Sequence, residues 1–153
     1  MRPTIRALIV ATVTVAAGAL LAAGIAIGKP GGVPAIPLNA EQETGTVVSD
    51  ATGFFSYTIE GNQLCYTLEV SGLTTQPIGA HIHLGPRNVA GGIIVPLLTP
   101  TGTTSTVSEC ITAVEGGRLT PAELAAIEAD PGAYYVNVHT TRYPGGEIRG
   151  QLK

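Results

Sequence analysis

Hydrophobic and polar positions alternate with period two over much of the chain, the signature of half-buried strands. The clearest case is a pair of runs, Gly53 to Glu60 and Gln63 to Ser71, flanking Gly61-Asn62. A Gly-Asn pair between two alternating runs predicts a two-residue hairpin turn. That turn sets the register: Ile59/Leu64, Tyr57/Tyr66 and Phe55/Leu68 fall on one face, Thr58/Cys65 and Ser56/Thr67 on the other. Both strands choose the same side as core, so a slip by one residue would expose every apolar side chain.

Similar patterns recur downstream. Ile78 to Leu84 places Ala80, Ile82 and Leu84 on one face and His81 and His83 on the other. Ile93 to Leu98 is apolar throughout but contains Pro96, which predicts an edge strand or a bulge. Thr106 to Val114 has Val107 and Ile111 on its apolar phase. Ala133 to Thr140 sets Tyr134, Val136 and Val138 against Tyr135, Asn137 and His139. Glu147 to Leu152 sets Ile148 and Leu152 against Glu147, Arg149 and Gln151. One helix is predicted near 120–129: Thr120-Pro121-Ala122-Glu123 is a capping box with Pro at the first helical position, and Asp130-Pro131-Gly132 ends it. The expected fold is all-β, a Greek-key-type antiparallel sandwich or barrel of about seven to eight strands with one short helix.

The N-terminus departs from this pattern. Arg2 and Arg6 precede an uncharged stretch from Ala7 to Ile27 that ends in small residues, as in a secretory signal cleaved near Ala26. The stretch is also long enough for an uncleaved membrane anchor. The expected organisation is residues 1–26 as signal peptide or anchor, 27–37 as a Pro/Gly tether, and 38–153 as the folded domain. Export places the domain in the cell envelope or outside the cell. In that setting the only two cysteines, Cys65 and Cys110, are expected to form a disulfide. Both lie on the polar phase of their strands, so the bridge belongs on the outer side or near an edge. Two buried free thiols are the alternative.

Charge then removes whole classes of function. Without Arg2 and Arg6, six basic residues face eleven acidic ones, a net charge near −5. Such a domain has no basic stripe for nucleic acid. It has no polybasic patch for anionic lipid either, so a membrane is reached only through the N-terminal segment if that is uncleaved. No nucleophile elbow, phosphate loop or dinucleotide fingerprint is present. Gly91-Gly92 and Gly116-Gly117 read as turn glycines.

Four segments together resemble the CHRD (chordin) domain family: Leu64 to Leu68 followed by Ser71-Gly72-Leu73; Ala80-His81-Ile82-His83-Leu84-Gly85; Tyr135 to Thr140; and Pro144 to Leu152. The resemblance implies an extracytoplasmic β-sandwich and no defined activity. The leader, the tether and a compact domain without a complete active site lead to the expectation of a non-catalytic binding module of the cell envelope, its partner an extracellular protein or surface ligand. A weaker similarity is to copper-zinc superoxide dismutases. It implies His81, His83 and His139 as copper ligands and Arg149 as an anion-guiding residue. The chain has three histidines in all, so the bridging histidine and zinc site of those enzymes have no counterpart. That departure weighs against dismutase activity.

The histidines admit two readings. His81 and His83 stand two residues apart on one strand face, with Cα atoms roughly 6.6 Å apart. They can therefore converge on one ion at about 2.0 Å each, with His139 as a third ligand if its strand is a neighbour. Imidazoles suit copper, zinc or nickel. Alternatively, the same side chains hydrogen-bond neighbouring strand ends or loops and fix the turn from Gly85 to Gly92. Arg149 likewise has a plainer reading, an outward side chain paired with Glu147 or Glu69.

Overall fold

A computed structural model describes residues 35–153, and the signal peptide or anchor expected at 1–26 lies outside them. Eight strands form one antiparallel sheet: β1 (Ile36–Asn39), β2 (Thr52–Glu60), β3 (Gln63–Ser71), β4 (Pro77–Leu84), β5 (Ile93–Pro96), β6 (Ser105–Thr112), β7 (Tyr134–Thr140) and β8 (Ile148–Gln151). Their order in the sheet is β5-β4-β7-β8-β1-β2-β3-β6. The crossovers that place β7 beside β4 and β6 beside β3 give the Greek-key-type order.

The sheet curls into a half-barrel. Phe55, Leu68, Ile82, Val95, Ile111, Val136 and Ile148, drawn from both halves, share one buried cluster with Ile36 and Leu38 of β1. A polar strut also crosses this core: Tyr66 Oη on β3 accepts a hydrogen bond from the Leu98 N–H just beyond β5, at 2.7 Å. One end is closed by helix α1 (Pro121–Ala129), which docks through buried Leu124 and Ile127. Thr120 and Glu123 cap it reciprocally, as expected.

The hairpin register is as the turn requires, with Phe55 opposite Leu68, Tyr57 opposite Tyr66, Thr58 opposite Cys65 and Glu60 opposite Gln63. β5 is an edge strand, and its pairing with β4 shifts between Ile82 and His83. Cys65 and Cys110 face each other across β3 and edge strand β6 and are joined in a disulfide.

Three details differ from the sequence reading. Ile36 and Pro37 belong to β1 and not to the tether, because Ile36 packs into the core and pairs with β2. Leu84 ends its strand 48% exposed instead of joining Ala80 and Ile82 inside. The third concerns the polar face of β4, β7 and β8, which is covered. His83, Tyr135, Asn137, Glu147 and Arg149 are all buried there. Two segments close over it: the β4–β5 turn and the stretch after β1, tied together where the Asn88 side chain donates to the carbonyls of Glu41 and Glu43.

Candidate metal centre

Register brings the three histidines together. β4 and β7 are neighbours, with Gly79 opposite His139, His81 opposite Asn137 and His83 opposite Tyr135. His139 thus lies diagonal to His81 on the same face, within reach of a long side chain. The ring centroids are 4.8 Å apart for His81/His139, 5.5 Å for His81/His83 and 5.7 Å for His83/His139. One ring nitrogen from each histidine lies within 4.8 Å of the other two. Gly79 leaves room for the rings: a Cβ there would stand 3.0 Å from His81 Cε1 and 3.8 Å from His139 Cδ2.

Hydrogen bonds decide which nitrogens are free. His83 Nδ1 lies 3.0 Å from the Gly91 carbonyl, and His139 Nδ1 lies 2.9 Å from the Pro144 carbonyl. A carbonyl only accepts, so each Nδ1 carries the proton and each Nε2 presents a lone pair. Those two Nε2 atoms, together with His81 Nδ1, are buried and have no hydrogen-bond partner. Buried nitrogens without partners cost free energy unless something binds them. The set Nδ1 of His81, Nε2 of His83 and Nε2 of His139 therefore fits a metal ion.

Electrostatics favours the ligating form. Burial lowers the His81 pKa to about 4, and the neighbouring His139 and His83 contribute to that lowering. Burial also lowers His83 and His139, although their carbonyl partners pull the other way. All three imidazoles are thus neutral at neutral pH, which metal binding requires. The donors are all nitrogen, with neither thiolate nor carboxylate among them.

The hydrogen-bonding reading holds for His83 and His139, and it is compatible with a cluster that could hold a metal. His83 fixes the turn from Gly85 to Gly92 through Nδ1 while leaving Nε2 free. Gly91 accordingly does more than turn the chain. Its carbonyl takes the His83 proton, its N–H donates to Tyr135 Oη, and a Cβ on it would lie 1.7 Å from the Leu84 carbonyl oxygen. The Tyr135 ring stacks on His83 at 4.9 Å and 9°.

Arg149 does not point outward toward Glu147 or Glu69. It is fully buried, donates to the carbonyls of Val89 and Pro86, and lies over the Tyr135 ring at 3.2 Å from the centroid. Glu147 is engaged elsewhere, by Ser49, Thr74 and Thr140. Glu43 sits in the same layer as Arg149. Burial raises its pKa to about 7, against the pull of the Arg149 charge.

Fold and site together define a class: an all-β half-barrel with a cluster of three imidazoles on the covered face of β4 and β7. The CHRD domain family matches residues 35–152, and the chain belongs to that family. No curated protein and no solved structure matches it significantly.

Proposed function

We propose that this CHRD protein is an exported, non-catalytic binding module whose ligand is a copper ion held by His81, His83 and His139. The observation that carries the reading is the convergence of three neutral imidazoles, one ring nitrogen from each within 4.8 Å of the others, in a cluster where each histidine has a buried nitrogen without a hydrogen-bond partner. Copper is chosen because an all-imidazole site binds Cu(II) more tightly than the other divalent first-row ions. Export is supported by the leader and by the Cys65–Cys110 disulfide, since such bonds persist in oxidising compartments.

A role as an adhesive or partner-binding module rests on family membership alone. The histidine geometry favours the metal.

The test is copper content after export of the full chain, compared with a His81→Ala/His83→Ala variant of the same chain. We expect about one copper per wild-type molecule and almost none in the variant. Equal, near-zero copper in both removes the metal reading. Superoxide turnover well above a free-copper control would contradict the non-catalytic role.

A further inference from the structure

We propose that Arg149 and Tyr135 are positioning residues that hold the turn from Gly85 to Gly91 and, through Gly91, fix the imidazole of His83; the consequence for metal affinity rests on the reading above. A guanidinium is always charged, and burying one is costly unless its donors are used. Here the two terminal nitrogens donate to Pro86 and Val89, carbonyls of a single turn, and only the buried Nε has no partner. The plane of the group rests on Tyr135, a desolvated cation–π contact. The same tyrosine supplies a third hydrogen bond to the turn, accepting from the Gly91 N–H at 3.0 Å. Gly91 then takes the Nδ1 proton of His83, whose ring lies parallel to Tyr135. Arg149 on β8, Tyr135 on β7 and His83 on β4 thus form one continuous stack across three neighbouring strands.

Packing alone does not call for a charge here, because a methionine fills similar space. What a guanidinium adds is a rigid fork that fixes two carbonyls at once. With both terminal nitrogens engaged in this way, Arg149 acts on the site through His83 and not by attracting an anion.

The experiment uses the exported chain with Arg149→Met and Tyr135→Phe, the second removing only the hydroxyl. Nitrogen-15 NMR of the metal-free protein reads the two carbonyl-bonded ring protons, on His83 Nδ1 and His139 Nδ1. Both are expected to be protected from exchange in the wild type. Each variant should lose the His83 proton and keep the His139 proton, which a general loosening of the fold would not do. Cu(II) affinity should fall about 10- to 100-fold, the usual effect of losing a ligand's supporting partner. In a His83→Ala background the same substitutions should cause no further loss.

Retention of the His83 proton in both variants overturns the proposal. So does an affinity loss of equal size in the His83→Ala background. If the wild type binds no copper but the His83 proton is lost selectively, positioning stands and the metal reading falls.

Discussion

At the scale of single residues, the titrating groups of the polar layer oppose one another. Each histidine has its pKa lowered by burial, His81 to about 4, so the unfolded chain takes up protons near pH 6.5 that the folded chain refuses. Stability therefore rises with pH across that interval and is lost as pH falls from about 6.5 toward about 4. Glu43 has the opposite sign. Its folded pKa of about 7 exceeds the ordinary value of 4.5, so its contribution is complete at low pH and is lost as pH rises through about 7. For the metal-free protein in chelator we expect the melting temperature to fall on acidification from pH 6.5 to 4, three histidines outweighing one carboxyl. Glu43→Gln should raise the melting temperature at pH 8, leave it nearly unchanged at pH 4, and steepen the loss on acidification. Thermal melts at pH 8, 6 and 4 check this; a Glu43→Gln variant less stable than wild type at pH 8 would mean that the Arg149 attraction outweighs burial.

At the scale of elements, alternation was enough to find every long strand, and the Gly61-Asn62 turn alone fixed the β2–β3 register. His81 and His83 were legible as a pair because period two places them on one face. His139 became a partner only through the β4–β7 pairing, which joins segments far apart in sequence. The disulfide belongs to a different part of the sheet, holding edge strand β6 to β3. Its closed loop of about 45 residues gives about 4 kcal/mol in the chain-entropy model. Cys65→Ala/Cys110→Ala should therefore lose about 2–5 kcal/mol of unfolding free energy in denaturant titrations. Copper affinity should be unchanged, since β3 and β6 pair with neither β4 nor β7 in the sheet. A parallel loss of affinity would show that the edge controls the site.

At the scale of the whole molecule, the sequence did not reveal that the polar face is covered. Alternation sorts side chains into two faces but cannot say what lies over either. The cover is made by irregular segments meeting across long sequence distances, as where Asn88 reaches the carbonyls of Glu41 and Glu43. This is why Arg149 read as an exposed cation and Gly91 as a simple turn residue. Both became part of the site once the β4–β5 turn was seen folded against β7 and β8. The same cover reaches the histidines at His83, whose buried ring is held by the Gly91 carbonyl, linking the closure of the half-barrel to the chemistry of its histidines.

The most direct measurement of that link is X-ray absorption at the copper edge of the protein loaded with one equivalent of Cu(II). Coordination by His81, His83 and His139 predicts three nitrogen neighbours at about 2.0 Å with the outer-shell scattering of imidazole rings, falling to one such ring in the His81→Ala/His83→Ala variant. An oxygen-dominated shell without imidazole scattering, or the same spectrum in wild type and variant, would contradict a three-histidine copper site.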